Sequence, residues 1–232
     1  MPSNTGPVGE DWTKRFFDVM VAAIALVFLA PVLLLTALVV KVCSPGPVLY
    51  RGVRVGLDGR LFSMLKFRSM IVNAESLGGS ATAADDQRLT KIGKFLRRYK
   101  LDELPQLLNV LAGDMSLVGP RPEVQKYVNL YSREEKAILT VRPGITDWAS
   151  IWNSNEAIVL EGSRDPEKAY EELIRPTKLT LQLLYVRHHT FVTDLKIIFH
   201  TAVKLINDDW APKELKPYGR VKRYRMTSTA SI

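Results

Sequence analysis

The sequence predicts a mainly α-helical protein with minor β structure (α+β), a small globular domain seated on an apolar N-terminal membrane segment. Three observations carry that expectation. Val19–Val40 is an uncharged run in which Thr36 is the sole polar side chain. Apolar residues recur at helical spacing at Leu104, Leu107, Leu108 and Leu111, and again at Leu195, Ile198, Phe199, Ala202 and Ile206. A β-prone run, Val48–Val55, precedes the hairpin-type turn Leu57-Asp58-Gly59.

Residues 1–12 are mostly polar, with Pro and Gly, and are expected to be disordered. The membrane segment follows at 13–43, the globular domain at 44–208, and a loose basic tail at 209–232. About 20 apolar residues span a bilayer core as a helix, so Val19–Val40 is long enough. It is too long for a signal-peptide core, and Val40-Lys41-Val42 is no small-residue cleavage site. Pro31, near its middle, lacks an N–H and clashes with the carbonyl four residues earlier, so the helix kinks or breaks there. Lys14 and Arg15 precede the run, and Lys41, Arg51 and Arg54 follow it. Positive charge marks the cytoplasmic side, and one crossing cannot place both flanks there. A hairpin broken at Pro31 can, with arms of roughly 12–15 residues, too short to cross a core of about 30 Å. The residues alone leave both readings open, a kinked spanning helix and a re-entrant hairpin. Asp18, just outside the run, is expected at the interface, paired with a neighbour such as Arg15.

Ser44-Pro45-Gly46-Pro47 is a turn signal, and 74–87 is a small, polar loop. Leu104–Leu111 is an amphipathic helix. Pro105 is tolerable only in its first turn, which places the start near Asp102 and makes Asp102 the expected N-cap. Gly119-Pro120-Arg121-Pro122 is a stiff turn carrying one arginine, and Arg142-Pro143-Gly144 is another turn. Residues 123–139 and 165–175 read as charged helices, and 177–206 as helical with mixed faces. The stripe in its second half suits core packing or a helix lying on a membrane surface.

The chain has 232 residues, and its 47% hydrophobic content excludes a disordered chain. A net charge of +8 invites an anionic partner. Cys43 is alone, so there is no intrachain disulfide and a Cys/His zinc cluster is disfavoured. His188, His189 and His200 form no HExxH motif. The absence of GxxxxGK[ST] and GxGxxG excludes a P-loop or Rossmann nucleotide site. A non-catalytic basic protein on one spanning helix, binding nucleic acid or anionic lipid, would share this composition. No RNP-like motif supports nucleic acid.

The chemistry is carried by Asp102 and Glu103. Capping and the helix dipole would suffice to explain an acidic pair at a helix start. However, Arg88, Lys91, Lys94, Arg97, Arg98 and Lys100 precede the pair, and the pinned Arg121 follows. Carboxylates among cations suggest a phosphate-bearing substrate and Mg²⁺, with basic groups offsetting the charge that moves during phosphoryl transfer. A carboxylate can also be the nucleophile.

The string Leu101-Asp102-Glu103-Leu104-Pro105-Gln106-Leu107, with Asn109-Val110-Leu111 and Gly113–Glu123, resembles the core of the bacterial sugar transferases. These are the monotopic polyprenol-phosphate phosphoglycosyl transferases. Lys66-Phe67-Arg68-Ser69-Met70 is similar to the family's KFR[ST]M element, and Arg88–Arg97 to its R-x-T-x-x-G-x-x-[LI]-R element. Pro143-Gly144-Ile145-Thr146, Tyr185 and Asp194-Leu195-Lys196 fit weaker elements, so the likeness covers about residues 12–206. It implies a helical catalytic domain over 44–208 on a re-entrant hairpin broken at Pro31, with interfacial amphipathic helices. It implies transfer of a phosphosugar from a UDP-sugar to a polyprenol phosphate at the cytoplasmic face of the bacterial inner membrane. Asp102 would be the nucleophile, and UMP would leave. Glu103, with Asp102, would bind Mg²⁺. Lys66, Arg68, Arg88, Arg97 and Arg121 would contact phosphates or nucleotide. The expected partners are donor, lipid acceptor and an anionic bilayer, not nucleic acid, and a homodimer is compatible. The absence of a helical bundle before Lys14 suggests the minimal form. Three residues depart from the family pattern. Ala30 replaces a serine before the proline, Lys100 a serine or threonine, and Asp147 a glycine in a region that bears on sugar choice.

Overall fold

The computed structural model describes residues 12–219 and Val221. The expectation of disorder therefore falls outside the described residues, except for Trp12, which opens a helix. That helix, α1, is Trp12–Cys43. Its 32 residues would measure about 48 Å at 1.5 Å each. The helical backbone continues through Pro31. A proline removes one hydrogen bond, which a kink can absorb without ending the helix. Only 11% of the most apolar 18-residue window of α1 is buried, whereas a soluble core helix is mostly covered. By length and composition α1 could cross a membrane.

A hairpin follows. Strand β1 (Leu49–Val55) pairs antiparallel with β2 (Leu61–Phe67), Leu49 opposite Phe67 and Val55 opposite Leu61. Asp58 (φ 53°) and Gly59 (φ 77°) turn the chain between them, using the left-handed backbone that Asp and Gly tolerate. The loop beyond β2 leads to α2 (Lys91–Arg98), capped by Thr90, whose hydroxyl accepts from the Gly93 N–H. A Cβ at Gly93 would lie 1.8 Å from the Ser69 carbonyl oxygen, so the absence of a side chain lets α2 dock there. The basic run thus divides. Lys91, Lys94 and Arg98 are exposed, and Arg97 turns inward.

A 3-10 turn, Leu101–Glu103, precedes α3 (Gln106–Ala112). The N-cap expected at Asp102 is corrected here. No side-chain cap bond is made at either start, and Asp102 is buried. Strand β3 (Ser116–Val118) pairs parallel with β4 (Gly144–Thr146). Between them the charged helix expected over 123–139 is broken into α4 (Gln125–Val128) and a 3-10 segment, Glu135–Thr140. Reciprocal bonds between Ser132 and Glu135, each accepting from the other's N–H, restart the chain as a capping box does. Then come α5 (Trp148–Trp152), α6 (Glu156–Val159), α7 (Pro166–Leu173), α8 (Arg175–His188) and α9 (Phe191–Ile206). The 177–206 stretch is split because the Thr190 hydroxyl caps a new helix by accepting from the Thr193 N–H. The tail is also corrected in part. Lys213–Tyr218 forms a 3-10 segment that buries Leu215 in the main core, while 222–232 lie outside the described residues.

That core joins Val110, Met115, Val118, Ile151, Leu181, Tyr185 and Ile197 to Ala22 of α1. Both ends of α1 are fastened to the domain. At the start, Lys14 Nζ donates to Asp194 Oδ2 (2.5 Å) and to the Val118 carbonyl (3.0 Å). Asp18 accepts from Ser116 Oγ (2.7 Å) and the Leu117 N–H (3.3 Å). The expected pairing of Asp18 with Arg15 does not form, because Arg15 donates to the Met115 and Leu111 carbonyls instead. At the far end, Val40 packs with Phe67 and Leu96, and Arg68 Nη2 donates to the Ser44 carbonyl at 2.6 Å.

Candidate active site

Four separate pieces of chain meet at the acidic pair. Strand β2 delivers Lys66, α2 delivers Arg97, the 3-10 turn carries Asp102 and Glu103, and the turn after β3 carries Arg121. Lys66 Nζ donates to Glu103 Oε1 at 3.0 Å, and Arg121 Nη2 donates to the same oxygen. Burial alone would push the Glu103 carboxyl up. Arg121 and Lys66 more than reverse this and hold it well below the usual carboxylate range. The Asp102 carboxyl moves the other way. Burial, and then the charge of Glu103, raise it against Lys66, Arg97 and Lys100. Adjacent carboxylates whose environments push them apart are suited to different roles. Burial lowers the Lys66 ammonium, with Glu103 opposing.

Arg121 is aimed by a rigid frame. A Cβ at Gly119 would lie 2.3 Å from the Arg142 carbonyl oxygen, so glycine permits the close approach of this turn to its parallel neighbour. The Arg121 N–H donates to Asp147 Oδ2 (3.2 Å), its Nη1 to the Ile145 carbonyl (3.3 Å), and Gln182 Nε2 donates to the Arg121 carbonyl (3.3 Å). Asp147 is fully buried and also caps α5, accepting from the Ser150 N–H at 2.7 Å. Two residues beyond Arg121, Glu123 accepts from Lys178 Nζ and from the Tyr170 hydroxyl (2.6 Å). Neither support was expected from the sequence. The Asp147-x-x-Ser150 spacing ahead of an apolar stretch was the available sign of a cap.

Arg97 Nε donates to Ser69 Oγ at 2.9 Å, and the side chain lies in the field of Asp102 and Glu103. Arg68 is not brought to the pair. It is buried beneath the end of α1 on Ser44, with Nε and Nη1 lacking partners among the described residues. Arg88 is spent on the loop, bonding Asp86 (2.8 Å) and the carbonyls of Ala74 (3.1 Å) and Gly79 (3.0 Å). Lys100 is an addition. It sits at φ 57°, lies within electrostatic reach of Asp102 and Glu103, and its Nζ donates to the Ser154 carbonyl at 2.6 Å.

The donor chemistry fits a hard divalent cation. Asp102 and Glu103 offer carboxylate oxygens, and both cationic contacts to Glu103 fall on Oε1 rather than Oε2. Among the described residues no group of three or more His, Cys, Asp or Glu converges. A cation would complete its shell with phosphate and water, as Mg²⁺ does.

An α+β domain thus carries a carboxylate pair ringed by cations and is fastened to one helix long and apolar enough to cross a membrane. The chain belongs to the bacterial sugar transferase family, whose model matches residues 9–208. It is 39% identical over 194 residues to the UDP-glucose:undecaprenyl-phosphate glucose-1-phosphate transferase of Escherichia coli (strain K12), covering 82% of this chain and 39% of that protein. A protein of the same name from Caulobacter vibrioides is 38% identical over 205 residues, 87% of this chain and 73% of the relative. The UDP-N-acetylgalactosamine-undecaprenyl-phosphate N-acetylgalactosaminephosphotransferase of Aeromonas hydrophila is 37% identical over 191 residues, 81% and 42% respectively. The chain thus spans about two-fifths of the E. coli and Aeromonas relatives.

Proposed function

We propose that this protein transfers a phosphosugar from a UDP-sugar to a polyprenol phosphate, as an initiating step of bacterial polysaccharide or glycoconjugate synthesis. Undecaprenyl phosphate is the acceptor in its relatives' names. The observation that carries this reading is the division of labour in the acidic pair. Glu103 is anionic and held by two cations. Asp102, beside it, has no cation hydrogen-bonded to its carboxylate among the described residues.

A carboxylate oxygen of Asp102 attacks the β-phosphorus of the donor. The bond from that phosphorus to the bridging oxygen breaks, and UMP departs with the electron pair. The lipid phosphate then attacks the same phosphorus, and Asp102 leaves as carboxylate. One phosphoanhydride replaces another overall. Lys66, Arg97 and Arg121 offset the charge that accumulates on the phosphoryl oxygens. Asp102 and Glu103 would hold Mg²⁺, which when bound supplies further neutralisation of the diphosphate.

The placement is monotopic and on the cytoplasmic face. It is supported by the fastening of both ends of α1 to one domain and by positive charge on both flanks. A helix crossing once would carry its ends to opposite faces. Thr5→Cys and Tyr50→Cys, each in a Cys43→Ser background, test this in intact cells. Both sites should be protected from an impermeant thiol reagent, and labelling of one alone would refute the arrangement. The reaction itself is tested by UMP release from UDP-sugars with polyprenol phosphate and Mg²⁺. Asp102→Asn should abolish it, and full activity in that variant would overturn the mechanism.

A further inference from the structure

We infer that Gln106 is a positioning residue for Asp102, its buried carboxamide orienting the attacking carboxylate from one helical turn further on. The inference rests on the transferase reading above and adds a residue to its machinery. Leu104 (φ −54°, ψ −35°) and Pro105 (φ −61°, ψ −16°) keep the chain helical from the 3-10 turn into α3. Residues three and four apart are neighbours on such a surface, so Gln106 adjoins Glu103 and Asp102 on one side and Asn109 on the other. Side chains on a helix lean toward its N-terminus, which carries the carboxamide back over the turn that holds the acidic pair. Strand β2 closes this space. Its Lys66 holds Glu103 at 3.0 Å, and the adjacent Leu65 N–H donates to Asn109 Oδ1 at 2.9 Å. Gln106 stands between those two fixed contacts.

Gln106 is fully buried, yet neither its Oε1 nor its Nε2 has a partner among the described residues. Asn109, the next polar residue on this side, is also buried but fully engaged, its Nδ2 donating to the Ser63 carbonyl (2.8 Å) and Asp114 Oδ2 (3.2 Å). An unbonded buried carboxamide weakens a fold, whereas an apolar side chain of the same length would not. One neighbour can use its N–H groups. Asp102 is itself buried, and the cations around it bond elsewhere: Lys66 and Arg121 to Glu103, Arg97 to Ser69, Lys100 to the Ser154 carbonyl. A carboxamide with two free donors and a carboxylate that only accepts are complementary, directly or through one bridging water. A neutral donor also fixes the direction of the carboxylate without pairing its charge, which leaves the oxygen nucleophilic. Being sealed from solvent, Gln106 acts through Asp102 and not on the diphosphate.

The test is Gln106→Met, which keeps the length and removes the amide, with Gln106→Leu as a second apolar replacement. UMP formation is timed with enzyme in excess over UDP-glucose, or over UDP-N-acetylgalactosamine if glucose is refused, in Mg²⁺ without lipid, so that attack by Asp102 alone is followed. That rate, and kcat with polyprenol phosphate present, should fall about tenfold or more in both variants, since small misplacement of a reacting group slows reaction by that order. KM for the donor should stay within about twofold, because the carboxamide does not touch it. The melting midpoint should hold or rise, because an unbonded buried amide is gone. A rate within about twofold of the unaltered protein, a loss carried by KM alone, or a midpoint lowered by more than about 2 °C would overturn the inference, the last by showing the amide to be a structural bond. Each of these leaves the transferase reading intact. No UMP release by the unaltered protein from any UDP-sugar would overturn that reading instead.

Discussion

Glu123→Gln is the substitution whose cost the structure defines best. Glu123 and Lys178 are about nine-tenths buried, with side-chain exposures of 11% and 10%, and they form an ion pair. The Tyr170 hydroxyl donates to Glu123 at 2.6 Å, and Lys178 Nζ donates to that hydroxyl at 3.0 Å. Glutamine preserves the shape and can still accept from Tyr170, so the change isolates the charge. It leaves the Lys178 ammonium buried and unpaired, which costs about 3–5 kcal/mol. At about 2–4 °C per kcal/mol for a domain of this size, the melting midpoint should fall by roughly 6–20 °C. Glu123→Gln/Lys178→Met removes both charges and should recover most of the loss. Acid provides a second signature. Burial raises the Glu123 carboxyl, but Lys178 more than offsets this, so its folded value is depressed. The stabilisation is therefore present above the ordinary glutamate pKa of about 4.3 and fades as pH falls through the lower folded value. Stability of Glu123→Gln should respond less to pH in that window. The assay is thermal melting of the detergent-solubilised protein from pH 7 downward. A fall below about 2 °C, or a double variant no more stable than Glu123→Gln, would refute the reasoning.

Gly93→Ala should destabilise the protein by several kcal/mol, because its Cβ would lie 1.8 Å from a backbone oxygen; an unchanged melting midpoint would contradict that packing. EDTA should stop UMP release and added Mg²⁺ should restore it; turnover unchanged by chelation would exclude the metal role. Arg121→Lys should lower kcat/KM by about tenfold or more, since an ammonium cannot reproduce the guanidinium fork between Glu103 and the Ile145 carbonyl; steady-state kinetics decide. Lys14→Met should loosen the start of α1 from the domain by removing two bonds to Nζ. Faster amide exchange over 14–18 would register the change, and wild-type protection there would argue against it.

Local patterns were legible, and long-range selection was not. The first strand, its hairpin-type turn and α3 followed from a β-prone run, turn residues and leucine spacing. The break at Ser132 was written as Ser-x-x-Glu but lay inside a charged run that also suits one helix. At the site, motif likeness pointed to Lys66, Arg68, Arg88, Arg97, Asp102, Glu103 and Arg121. Convergence of Lys66 and Arg121 on one oxygen of Glu103 could not be read, because they lie 37 and 18 residues away from it. Arg68 and Arg88 show the limit most clearly. A basic residue within a matching motif says nothing of whether its guanidinium turns to substrate or under a neighbouring carbonyl. The Lys14–Asp194 tie, 180 residues apart, left no trace in any periodicity.

The fastening of α1 at Lys14 and again beside Ser44 makes helix and domain one float. On the proposed placement, with α1 embedded from one side, the height of Asp102 above the lipid would be set by the depth at which the apolar face of α1 rides. Bilayer thickness and headgroup packing would then become kinetic variables, since a deeper or shallower draught would move the aspartate relative to the phosphate of the proposed acceptor. The membrane would act as the reference surface from which this enzyme measures its second substrate.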